Sequence, residues 1–156
     1  GITLNNQYLL FDNKWGSDRG FIWKTAAGLF AALPFGKKLF GVGPDCFMPY
    51  SYSIPEYAEK LYQYWKPNIL TNAHNEFLNL LICIGIAGLL AFIAMLCMGV
   101  ARFYRASRKS PLILAGMLCI LAYAGSNFFC YQQVCCTPFL FIIMGLAESV
   151  LRRLEK

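Results

Sequence analysis

Residues 77–101 read FLNLLICIGIAGLLAFIAMLCMGVA, and this stretch decides the fold. It carries no charged side chain, and as one α-helix it would rise roughly 37 Å at 1.5 Å per residue, enough to cross a bilayer with some tilt. Gly85, Gly88, Ala91 and Ala94 place small residues at spacings of three, a strip read as a close-packing face for another helix of a bundle.

Two more apolar stretches follow. Residues 111–131, PLILAGMLCILAYAGSNFFCY, begin with a proline whose missing N–H costs nothing at a helix start. Gly125, Ser126 and Asn127 put polar groups in the outer third of this span, for interhelical hydrogen bonds or for a cavity open to the outer face. Residues 134–151 are short but adequate, with Thr137, Pro138 and Glu148 near the ends. The whole chain of 156 residues is 58% hydrophobic and 14% charged. An average soluble domain is about a quarter charged, so a conventional soluble domain and a disordered chain are both excluded. The expected fold class is an all-α membrane protein: an extracytoplasmic loop region, 1–76, with short interfacial helices, then three transmembrane helices in 77–156 (77–101, 111–131 and 134–151). The segment from Ile2 to Phe11 has neither the basic nor the apolar region of a signal peptide, so the chain is read as a piece of a longer polytopic bundle.

The net charge is +6, but its distribution is uneven. Residues 1–76 hold seven basic and six acidic side chains, whereas Arg102, Arg105, Arg108 and Lys109, and then Arg152, Arg153 and Lys156, crowd two flanks of apolar segments. Positive flanks belong on the cytoplasmic side, and the three spans place both there self-consistently. The charge is therefore a topology signal and not a nucleic-acid site. Residues 1–76 and the turn at Gln132 and Gln133 fall outside the cytoplasm, and the C-terminus inside. Of seven cysteines, those within spans act as small apolar groups. Cys130, Cys135 and Cys136 cluster near the outer face without a nearby histidine, so no metal site is expected and their pairing is not readable.

In the outer region, Gly20–Leu33 is apolar but too short to span, and it stops at Pro34, which suits a helix at the interface. Gly41-Val42-Gly43-Pro44 makes a tight turn, and Pro55–Trp65 has helical character. Tyr50, Tyr52, Tyr57, Tyr62, Tyr64 and Trp65 supply amphipathic rings, either as an interfacial belt or as platforms for sugar faces or an isoprenoid chain.

The one histidine, His74, lies in Thr71-Asn72-Ala73-His74-Asn75-Glu76. With Asn72 as N-cap, His74 would sit in the first helical turn, where unpaired N–H groups and the positive helix end disfavour imidazolium and leave a neutral ring able to accept a proton. The competing reading is an interfacial polar residue. Glu76, two residues on, points away from His74 on a helix, while Asn75 and Asn79 share a face and would hold a polar group near the outer mouth. Arg19, at the start of the short helix, has the planar fork that pairs with phosphate or pyrophosphate, with Lys24, Lys37 and Lys38 as further contacts. Its alternatives are a pair with Asp12 or Asp18, or lipid headgroups. No phosphate loop, nucleophile elbow or zinc motif is present.

Taken in order, Arg19-Gly20-Phe21-Ile22-Trp23, then Leu39-Phe40-Gly41-Val42-Gly43-Pro44-Asp45-Cys46-Phe47, then Ala73-His74-Asn75-Glu76-Phe77-Leu78 running into Ile84-Gly85-Ile86-Ala87-Gly88-Leu89, the chain resembles the C-terminal half of the O-antigen ligase and O-antigen polymerase family. The resemblance implies an inverting, metal-independent bacterial inner-membrane glycosyltransferase without a cofactor. Such an enzyme takes a glycan from an undecaprenyl-pyrophosphate carrier on the outer side and passes it to a sugar acceptor. It further implies His74 as the base for the acceptor hydroxyl and Arg19 as a contact to the carrier pyrophosphate. Trp23, Lys24, Asn75 and Glu76 complete the candidate substrate-binding set. The implied partners are the lipid-linked donor, a glycan or lipid-linked acceptor, the bilayer and upstream helices of the same protein. The rival expectation is a non-catalytic membrane protein that binds or transports lipid-linked glycans.

Overall fold

The computed structural model describes residues 11–132 and 135–156; what was expected of residues 1–10, of Gln133 and of the span start at Val134 lies outside them. The described residues are helical without a strand: α1 (Trp15–Ala32), α2 (Phe35–Phe40), α3 (Phe47–Ser53), α4 (Pro55–Trp65), α5 (Glu76–Cys83), α6 (Gly85–Ala106), a 3-10 turn (Ser107–Lys109), α7 (Pro111–Phe129) and α8 (Thr137–Leu154). The chain divides into two compact units, residues 1–88 and 89–156.

The helix expected to run unbroken over 77–101 is interrupted. Ile84 leaves helical geometry and Gly85 takes φ +71°, separating α5 from α6. The break leaves carbonyls at the end of α5 without their usual helical donors, and an unpaired buried carbonyl costs about 1–3 kcal/mol. The glycine turn supplies the donors: Val42 N–H bonds to Ile82 O at 3.0 Å and Gly43 N–H to Cys83 O at 2.9 Å. This approach demands glycine on both sides. A Cβ on Gly41 would collide with the Cys83 carbonyl, and one on Gly85 with the Leu39 carbonyl. The members of the strip of small residues have different surroundings here. Gly85 belongs to this backbone clasp, the space beside Gly88 is taken by the Ile84 side chain, and Ala91 and Ala94 are exposed.

In the first unit, α1 buries Ile22, Ala26 and Leu29, spaced four and three apart on one face, with Phe47 from α3, Leu61 from α4, and Ile82 and Cys83 from α5. Each such large side chain contributes about 1.5–3 kcal/mol on burial. The helix read as interfacial thus spends its apolar stripe on the core of its own unit. It stops where expected, with Leu33 extended ahead of Pro34.

In the second unit, Leu96, Phe103 and Ala106 of α6 pack with Ile113 and Ile120 of α7 and with Leu140, Ala147 and Leu151 of α8. Gly116 lets α8 come close, since a Cβ there would lie 2.7 Å from that of Ala147. Leu90, Met98, Leu118, Leu121, Phe141 and Leu146 face outward and exposed, the pattern of a bundle whose surrounding medium is apolar. Two helical segments are long and apolar enough to cross a membrane, Gly85–Lys109 with mean hydropathy 2.1 and Pro111–Phe129 with 1.8. The described part of the third expected span is α8, whose last turns bring Glu148, Arg152 and Arg153 into the helix. Glu148 takes a two-pronged bond from Arg102 (2.7 and 3.0 Å) and another from Arg152 (2.8 Å). One cation of the first basic flank is therefore neutralised by an acid 46 residues away in sequence.

Replacing Gly85 by alanine should destabilise the protein by at least about 1–2 kcal/mol from the left-handed backbone alone, with the Leu39 collision added. Gly36→Ala, where no heavy atom lies within 4 Å of the new methyl, should be neutral. Thermal unfolding of the full-length protein in detergent, followed by tryptophan fluorescence, distinguishes the two.

Candidate active site

His74 is positioned by the residues on either side of it. Asn72 is not the N-cap: its Oδ1 accepts the backbone N–H of His74 at 3.0 Å, closing a local turn. Ala73 is wholly buried, and His74 itself adopts φ +47°. Asn75 then turns extended and caps α5, its Oδ1 accepting Leu78 N–H at 3.0 Å. His74 therefore precedes the helix and does not sit in its first turn. A side chain that needs Asn75 as a cap three residues before Leu78 leaves His74 in the strained junction, where a non-glycine left-handed residue costs about 1–2 kcal/mol.

Arg19 is placed by a second strained junction. Gly16, Ser17 and Asp18 have φ of +60°, +59° and +69°, and regular helix resumes at Arg19, whose Nη1 donates to the Gly16 carbonyl at 2.7 Å. Asp18 does not occupy the arginine in this arrangement alone, because its Oδ1 accepts the Tyr64 hydroxyl at 2.7 Å. The Tyr64 ring stacks on Phe21 with centroids 3.9 Å apart and planes 7° from parallel. Burial, and then the bond to the Asp18 carboxylate, push the Tyr64 hydroxyl up to about 12, so it remains a donor. This Tyr64–Asp18 latch from α4 to the start of α1 was not legible in the sequence, where Tyr64 was only one of several rings.

Arg19 and His74, 55 residues apart in sequence, fall in the same packed unit. Burial, and secondarily the Arg19 charge, hold His74 below the usual histidine value of 6.5. The shift has the direction expected from the sequence, but its causes are desolvation and the Arg19 charge and not a helix end. Glu76 is buried in the first turn of α5 and Asn75 is buried beside it. Asn79, one turn on, has its Oδ1 buried without a hydrogen bond among the described residues.

The remaining candidates separate. Trp23 joins a ring cluster with Trp15 at 5.3 Å and Phe11 at 6.3 Å. Lys24 follows Arg19 by five residues, about 140° around the helix. It donates to Asn13 Oδ1 at 3.2 Å and lies over the Phe11 ring. Lys24, Asn13, Phe21, Tyr57 and Lys60 line a cavity of about 280 Å³ that neither Arg19 nor His74 lines. Lys37 lies over the Tyr50 ring at 4.8 Å. The tyrosines are largely structural: Tyr52 accepts Leu70 N–H at 3.0 Å, and Tyr57 packs on Gly28.

Two helical segments long and apolar enough to cross a membrane, preceded by a half-buried histidine whose affinity for a proton the Arg19 charge helps lower, define a class of membrane-embedded enzyme candidates. The family model described as O-antigen ligase matches residues 5–93, more than half of the chain and all of the site, and the chain belongs to that family. Membership carries, at a coarse level, a membrane setting and glycosyl transfer of the O-antigen ligase or polymerase type. No curated protein and no solved structure matches the chain.

Because the folded ring binds its proton less readily than the unfolded chain does, stability should fall as pH drops below about 6.5. In the full-length protein, the His74 ring resonance, assigned by its loss in His74→Gln, should titrate below 6.5 and move upward in Arg19→Gln. An unmoved midpoint in that variant would mean that the guanidinium does not act on the ring.

Proposed function

We propose that this chain forms the acceptor-activating and pyrophosphate-contacting half of a glycosyltransferase that works on the outer side of the cytoplasmic membrane. The donor is a glycan on undecaprenyl pyrophosphate, and the acceptor is a sugar hydroxyl of a glycan or of a second lipid-linked chain. The observation that carries the reading is the half-buried setting of His74, which, with a smaller contribution from the Arg19 charge, lowers the ring's affinity for a proton, within the family match over residues 5–93.

The chemistry follows from those two groups. A neutral His74 takes the proton of the acceptor hydroxyl as its oxygen attacks the anomeric carbon. The bond from that carbon to the pyrophosphate oxygen breaks with its electron pair, and the configuration inverts. The departing pyrophosphate needs charge stabilisation more than a proton, which suits a guanidinium held by a helix start. Arg19 serves twice in this scheme, since the charge that receives the phosphate also discourages protonation of the base. The buried Asn79 Oδ1 is an acceptor suited to a sugar hydroxyl. The charge flanks support an extracytoplasmic position for the site, where lipid-linked glycans are presented.

With full-length protein, lipid-linked donor and acceptor in detergent, His74→Ala should lower glycosidic-bond formation on the order of 10²–10⁴-fold while the protein still inserts and binds donor. Arg19→Ala should cost on the order of 10²–10³-fold, and Arg19→Lys should recover only part of it, because an ammonium lacks the two-pronged fork. Undiminished transfer by His74→Ala sinks the base assignment. Donor binding without any bond formation by the wild type would favour the transport reading.

A further inference from the structure

The second unit carries a cavity of about 510 Å³ at the C-terminal end of α6, lined by Met98, Ala101, Arg102, Arg105, Lys109 and Glu155. Its charges are not equivalent. Arg102 is engaged by Glu148 at 2.7 Å and by Glu155 at 3.2 Å, so the one carboxylate in the lining is spent on Arg102. Arg105 and Lys109 pair with no acid among the described residues. The cavity therefore presents two uncompensated cations.

The same face of α6 changes character along its length. Leu90, Ala94, Met98 and Ala101 are exposed and apolar, and with Arg105 they fall within about a quarter of the helix circumference, while Lys109, in the 3-10 turn that follows, lines the same cavity. Leu90 and Met98 are 59% and 66% exposed. From Met98 to Arg105 is about 10 Å along the axis. A free phosphate would use only the cationic end of this stripe. An anionic glycerophospholipid matches all of it, with an acyl chain along Leu90–Met98 and the phosphodiester between Arg105 and Lys109.

We propose that this cavity is a binding site for an anionic glycerophospholipid of the surrounding bilayer. The site is separate from the His74–Arg19 pair and does not depend on the glycosyl-transfer reading. Its occupant takes the two cations that the α8 carboxylates leave unpaired, and so screens the repulsion between Arg105 and Lys109.

Native mass spectrometry of the full-length protein from micelles containing equal phosphatidylglycerol and phosphatidylcholine tests it. The wild type should retain phosphatidylglycerol preferentially, and each of Arg105→Gln and Lys109→Gln should reduce that preference about fivefold. Arg108→Gln removes the same charge outside the cavity and should leave it unchanged. Met98→Asn, which keeps every cation, should also weaken retention. Circular dichroism of each variant confirms folding. The proposal is overturned by absence of a preference in the wild type, by an equal effect of Arg108→Gln, by full retention in Met98→Asn, or by displacement of the lipid with excess inorganic phosphate.

Discussion

Two backbone hydrogen bonds organise the first unit. A helix entering a membrane normally satisfies its own carbonyls, and α5 does not, because Gly85 turns the chain out of helical register after Cys83. In an environment without water, those carbonyls must find donors from elsewhere in the protein. Val42 and Gly43 provide them, and the requirement for bare backbone on both sides accounts for glycine at 41 and 85. The turn and the helix end are thus one structural element assembled from residues 40 positions apart. With its C-terminal end fixed in this way and its Ile82 and Cys83 in the core, α5 presents its capped N-terminus, and His74 before it, in a set place.

The site is built from two strained junctions. Left-handed residues at 16–18 and at 74 each require outside support, which comes from the Tyr64–Asp18 bond, the Arg19–Gly16 bond and the Asn72–His74 turn. Strain held by hydrogen bonds places Arg19 and His74 more narrowly than a flexible loop would. The electrostatics run in one direction: half-burial, and secondarily the Arg19 charge, lower the affinity of the His74 ring for a proton.

The two basic flanks illustrate how the same residue type serves different ends. Arg102 is drawn into an ion-pair cluster with Glu148 and Glu155, while Arg105 and Lys109 are left facing a cavity. Counted in the sequence, all are equal contributors to sidedness. Only their positions relative to Glu148 and Glu155 separate the structural cation from those available to a ligand.

Much of the architecture was legible from the chain itself, because helix content, apolar length and charge asymmetry are local properties set by residue type and spacing. Residues 111–131 read as a membrane-length helix, of which 111–129 form α7, Pro34 ended α1, and the ordered Arg19, Gly41–Pro44 and His74 blocks pointed to a family that the match over residues 5–93 shows. Non-local relations were not legible. An uncharged run from Phe77 to Ala101 gives no sign that Gly85 breaks it, since the break is stabilised by donors at Val42 and Gly43. Asn72 and Asn75 are equally good caps by residue type, and the burial of Ala73 and the bond from Leu78 select Asn75. The sequence by itself determined a membrane helical protein of this family with Arg19 and His74 in its ordered blocks. Tertiary structure alone decided that both fall in one packed unit, with the Arg19 charge felt at His74, because a relation across 55 residues depends on packing and not on spacing.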